Sequence, residues 1–136
     1  MSIGRVVVGL SLICACQAYG ACFDIDQAQP AQLEGSLTRQ VFAGRPNYES
    51  VKRGDEPEIT YILNLQHPIC IKGYSTQLFS TVHLVYMDST RSSMKALVGQ
   101  DVRVSLTEQM EATTGHHHAP LVAWVQDIQR VQKAKQ

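Results

Sequence analysis

Residues Thr81–Leu106 read TVHLVYMDSTRSSMKALVGQDVRVSL, and their reading decides the fold. Thr81–Met87 is apolar on nearly both faces, as a strand inside a sheet is. Asp101–Leu106 alternates, with Val102, Val104 and Leu106 on one face. Between them, Ser92–Val98 has the length for one or two helical turns, and Gly99 stands where such a helix ends. The centre of the chain is therefore strand, short helix, strand.

Upstream, LEGSLTRQV puts Leu33, Leu37 and Val41 on one side of a first strand. Gly35 inside it predicts a bend or the close approach of another backbone. Ile59–Leu65 (ITYILNL) is a second strand, with Ile59, Tyr61, Leu63 and Leu65 on one face. His67-Pro68 interrupts it, and Ile69–Ile71 resumes an extended run. Pro68 has no N–H for a ladder, so it marks a strand end, an edge or a bulge. Downstream, Leu121–Ile128 (LVAWVQDI) is the last strong strand. Five strands with a short helix between the third and fourth predict an all-β fold, a small five-stranded OB-like Greek-key barrel. An open antiparallel sheet or a small sandwich is the competing arrangement.

The N-terminus has the form of a signal peptide. Arg5 supplies a positive charge, Val6–Ala15 is a ten-residue apolar run, and Ala18 and Gly20 are small. The run is far short of the roughly 20 residues that span a bilayer, so no stable membrane span is expected. Cleavage is placed after Gly20, leaving residues 21–136 as a single exported, periplasmic domain. Lipoprotein anchoring is disfavoured, because Tyr19 stands where a lipobox has an aliphatic residue. Cys14 and Cys16 leave with the signal. Cys22 and Cys70 remain and are expected to pair in an oxidising compartment, two separate buried thiols being the alternative. Such a bridge contributes about 4 kcal/mol in the chain-entropy picture.

Charge excludes one class of partner. Of the twelve Lys and Arg, Arg5 lies in the signal, which leaves eleven against twelve Asp and Glu. With no basic stripe to neutralise phosphates, no nucleic acid is expected as a partner.

Two stretches carry polar chemistry. Thr113–Pro120 (TTGHHHAP) holds three adjacent histidines. In an extended segment His116 and His118 face one way and His117 the other, so the three cannot converge on one ion. A Zn, Cu or Ni site on His116 and His118 needs a further ligand such as Glu108, Glu111 or His83. The structural reading is a turn at Gly115, with Pro120 extending Ala119 into the last strand. The second stretch, Phe42–Glu58 (FAGRPNYESVKRGDEPE), is rich in turn residues. Its mixed charges suit a self-paired, solvated loop. Asn47, Tyr48, Glu49, Asp55 and Glu56 are its candidates for contacting a protein partner. An exposed loop is a poor place to raise a carboxyl pKa, and no G-x-S-x-G occurs. No catalytic residue is assigned, no cofactor is required, and a non-enzymatic role is expected.

The order Cys22, LEGSL, VFAGRPNYESVKRGDEPE, YILNLQHPICI and TGHHHAPLVAWVQDI resembles a bacterial domain-of-unknown-function family, number 4431. Phe42, Gly44, Pro46, Asn47, Tyr48, Glu49 and Ser50 fit its first pattern, with Arg45 where proline is frequent. The resemblance implies an exported domain with paired cysteines and implies no activity. Relatives that sit beside a lysozyme-inhibitor-like domain turn the expectation toward a protein-binding module. The expected role is that of an inhibitor or immunity protein against a cell-wall hydrolase or toxin. The alternative is a metal-binding or metal-sensing module on the His116–His118 cluster.

Overall fold

The computed structural model describes residues 22–74, 77–112 and 117–132. The expected signal peptide, His116 and the last four residues lie outside these. Five main strands form: β1 (Gln32–Ala43), β2 (Pro57–Cys70), β3 (Leu78–Val85), β4 (Asp101–Leu106) and, after a two-residue β5 (Glu111–Ala112), β6 (Leu121–Arg130). A 3-10 turn at Asp88–Thr90 leads into a short helix, α1 (Arg91–Ala96), between β3 and β4. The sheet runs β3-β2-β1-β4-β6-β5, and a parallel pairing of β3 with β6 closes it into a five-stranded barrel. Parallel neighbours need a crossover, and α1 with β4 supplies it. The OB-like barrel expected from the strand–helix–strand centre is the fold observed.

Alternation fills the interior. Leu33 and Leu37 of β1, Tyr61 and Leu63 of β2, and Val82 and Leu84 of β3 are buried together. Val102 and Val104 of β4, with Leu121, Ala123, Val125 and Ile128 of β6, complete the ring, and Met94 joins from α1. Each fully buried aliphatic side chain contributes about 1.5–3 kcal/mol of transfer free energy. Gly99 (φ 81°) turns the chain out of the helix. Its N–H then donates to the Leu37 carbonyl (2.8 Å), while the Leu37 N–H donates to Gln100 (3.0 Å).

Two irregularities fall where the residues foretold them. A Cβ on Gly35 would lie 2.1 Å from the Asn64 carbonyl oxygen, so the strands approach too closely there for any side chain. The β2–β3 register shifts between Asn64 and Ile69, bracketing Pro68. The expected interruption at His67-Pro68 is thus a bulge inside one long strand. Cys22 and Cys70 form a disulfide. Beside it, Phe23 donates to the Cys70 carbonyl (2.9 Å) and accepts from Lys72 (2.8 Å).

β1 and β2 outrun the barrel. β1 pairs with β4 only from Gln32 to Ser36, and β2 meets β3 from Tyr61 onward. The rest, Gln40–Ala43 against Pro57–Thr60, continues as a two-stranded ribbon in unbroken register. Val41 and Ile59 continue the core alternation along it, yet they are 50% and 46% exposed.

Candidate functional site

The ribbon ends in the loop 44–56, and one carboxylate organises it. Asp55 Oδ1 accepts from the Asn47 N–H (2.9 Å), and Oδ2 accepts from Glu49 and Ser50 (both 2.8 Å). Backbone bonds reinforce the ring: Gly44 to Glu56 (2.7 Å), Glu56 to Arg45 (2.7 Å) and Tyr48 to Gly44 (2.9 Å). A short 3-10 turn, Val51–Arg53, ends at Gly54 with φ 107°. The sequence signal is a run of turn formers closing on an Asp, which gathers free amides as such residues do.

Asp55 was expected to face a partner, and the structure corrects this. The loop's own backbone covers it, leaving it 4% exposed although it lies at the molecular surface. The amides of Ser50, Asn47 and Glu49 hold its carboxyl below the usual range, against the smaller opposing effect of desolvation. It is an ionised acceptor that shapes the loop. Asn47, Glu49 and Glu56 are exposed on the loop, and Glu49 approaches Arg53 at 3.8 Å. Tyr48 is 45% exposed and sits at φ 56°, in the left-handed region. For a bulky side chain that conformation costs about 1–2 kcal/mol. The amides on either side of it are the ones Asp55 clamps.

The histidine stretch packs against the outer face of the barrel. His83 on β3 points opposite to the buried Val82 and Leu84, in register with Ile62 and Val122. His118 N–H donates to His83 Nδ1 (3.2 Å). The His118 ring lies flat on Phe42, with centroids 3.7 Å apart. Its Nε2 is buried without a hydrogen bond, and Glu58 Oε2 lies 3.8 Å away. The His117 ring meets His83 edge-on at 5.2 Å. Burial, then the neighbouring His117 and His118, push the His83 pKa down to about 4, with Glu58 opposing. A neutral His83 is what an Nδ1 acceptor requires.

The expectation that His117 and His118 face opposite ways fails. Residues 118–120 form a bend, so strand alternation does not apply, and both rings reach His83. The sequence offers His83 only as a distant ligand for a metal. It does fold back beside His118, but its Nδ1 is already occupied by a backbone N–H. His116 lies outside the described residues. Among the described residues, no three His, Cys, Asp or Glu side chains are grouped to hold a metal ion. The sequence does not announce Phe42 and Glu58 as partners of His118, because nothing local links positions 76 and 60 residues apart.

Among the described residues, no helix is long and apolar enough to cross a membrane. Residues 81–129, from β3 to the end of the barrel, match the model of the family described as Domain of unknown function (DUF4431). The resemblance read from the sequence thus holds over the segment that carries His83, α1 and the histidine bend. No curated protein and no solved structure matches the chain.

Proposed function

We propose that this DUF4431-domain protein is a non-enzymatic protein-binding module that presents the 44–56 loop to a protein partner. Tyr48 carries the reading: a large, half-exposed aromatic in a left-handed conformation, clamped on both sides by amides bound to Asp55. Backbone strain of this kind persists where surrounding structure over-determines it, often at binding sites. The loop is ordered before any partner arrives, so ordering it adds little to the entropic cost of association. Tyrosine is a frequent interface anchor. In barrels of this topology, ligands meet the face beside the loops joining strands one to two and four to five. Loop 44–56 is the first of these, and the histidine bend belongs to the second. Asp55, held ionised by three amides, is suited to accept hydrogen bonds and not to donate a proton.

The setting we infer is the periplasm, with a cell-wall-targeting hydrolase or toxin as the partner to be inhibited. Tyr48→Gly separates binding from stability. Glycine is at ease at φ 56°, so the variant should melt no lower than wild type. It should nevertheless lose a stoichiometric partner that immobilised wild type captures from periplasmic extract. Identical capture by wild type and variant would remove Tyr48 from the interface, and with it this reading.

A further inference from the structure

Beside the loop, β1 has an edge that no described residue pairs with. The Leu37 N–H and C=O both point away from β2, toward Gln100 and Gly99. In an antiparallel pair this direction alternates residue by residue. The β1–β2 register is unbroken from Gly35 to Ala43, so Arg39, Val41 and Ala43 aim their peptide groups the same way as Leu37. β4 has already ended its pairing at Ser36, and no described residue bonds to that stretch of edge. Pro57 opposite Ala43 agrees, because that pair needs no N–H between the strands. An open strand edge is a template for another chain.

Two arginines flank this edge. Arg39 and Arg45 are exposed, and neither has an ion pair or side-chain hydrogen bond among the described residues, whereas Arg53, Arg91 and Arg103 each have a carboxylate. All twelve Asp and Glu of the chain lie in the described stretches, so no side-chain carboxylate elsewhere is left to pair with these two. Between the arginines stands the half-exposed cross-strand pair Val41 and Ile59.

We propose that the Arg39–Ala43 edge of β1 takes up an extended acidic segment of a protein partner as an added strand. Main-chain bonds to Arg39, Val41 and Ala43 give the attachment, and carboxylates on Arg39 and Arg45 give the selectivity. Arg39 and Val41 share one face, so the incoming strand carries a carboxylate and an apolar side chain two residues apart. This deepens the protein-binding reading and rests on it.

The test uses the full chain and two fluorescein-labelled peptides that alternate Thr with Glu, or Thr with Lys, around a central Val. Fluorescence anisotropy should show the Glu peptide binding at least about tenfold more tightly than the Lys peptide. Arg39→Glu should reverse that order. Val41→Pro removes an N–H that serves only the free edge, and should abolish binding while the melting curve is kept. Should Val41→Pro fail to fold, slowed amide exchange at Arg39 and Val41 on adding the Glu peptide reports the same contact. Equal affinity for both peptides overturns the proposal. So does a wild-type dimer in sedimentation that Arg39→Glu dissociates, since a second copy would then own the edge. Tyr48→Gly should leave peptide affinity unchanged. Tyr48-dependent capture without peptide binding therefore removes the edge and keeps the module. Peptide binding without such capture does the reverse.

Discussion

The two halves of β1 follow one alternation and meet different surroundings. In the first half, Leu33 and Leu37 enter the barrel, where β4 pairs from Gln32 to Ser36, β2 pairs from Gly35 onward, and the turn at Gly99 and Gln100 bonds Leu37. In the second, Val41 holds the same face, pairs with β2 alone among the described strands and is half-exposed. Side-chain periodicity says which face a residue occupies. How far the barrel extends along that face is set by where β4 and β3 stop, which no property of β1 encodes. The inner half therefore carries stability, and the outer half carries the loop, the histidine contacts and the free edge.

That contrast is most strongly tested at the inner half. A Cβ at Gly35 would meet the Asn64 carbonyl, which is backbone and cannot swing aside. Gly35→Ala should cost about 3 kcal/mol or more, and Leu37→Ala about 2–5 kcal/mol. Urea unfolding followed by circular dichroism reads both. A Gly35→Ala protein with the wild-type midpoint would mean that β1 and β2 can part there without loss.

Sequence legibility divides along the same line. Gly35, the Pro68 bulge, the Cys22–Cys70 bridge and the short helix before Gly99 each act on adjacent residues or leave few alternatives, and each was readable. The layout of five strands with a short helix between the third and fourth was readable too, but the order in which they pair was not. The histidine contacts were not readable, because Phe42, Glu58 and His83 come from three different strands and are united only by closure of the barrel. The inward turn of Asp55 is illegible for a subtler reason. Its partners are five to eight residues away, but whether a carboxylate turns in or out of a loop depends on where the amides point.

At intermediate magnitude lies the histidine contact, which ties the outer face to the bend before β6. His83→Ala removes the acceptor for the His118 N–H and should cost about 1 kcal/mol at neutral pH. The same residue sets an acid response. Its folded pKa of about 4 lies below the ordinary 6.5, so the unfolded chain binds more protons between these values. Stability should fall as pH drops through that window and stop responding to His83 below about 4. Asp55, also lowered, keeps its contribution above 3.8 and loses it only as pH falls further. The histidine contact therefore weakens first and the Asp55 loop in stronger acid. Melting temperatures from pH 7 to pH 3 for wild type and His83→Ala (with the slope between 6.5 and 4 reduced in the variant) check the order.

The smallest effect is expected at Val41. Truncation there removes methyl groups that are already half in water, so Val41→Ala should cost under about 0.5 kcal/mol. Leu37→Ala, four residues earlier on the same face, should cost several times more. The ratio of the two is informative because both residues share a strand, a face and an apolar character, and differ in what covers them. A Val41→Ala cost approaching that of Leu37→Ala would show the outer half covered in solution. In a dilution series, a cost that vanishes at low protein concentration would assign the cover to a second copy. A small cost at every concentration leaves the Arg39–Ala43 edge open, the condition a docking strand needs.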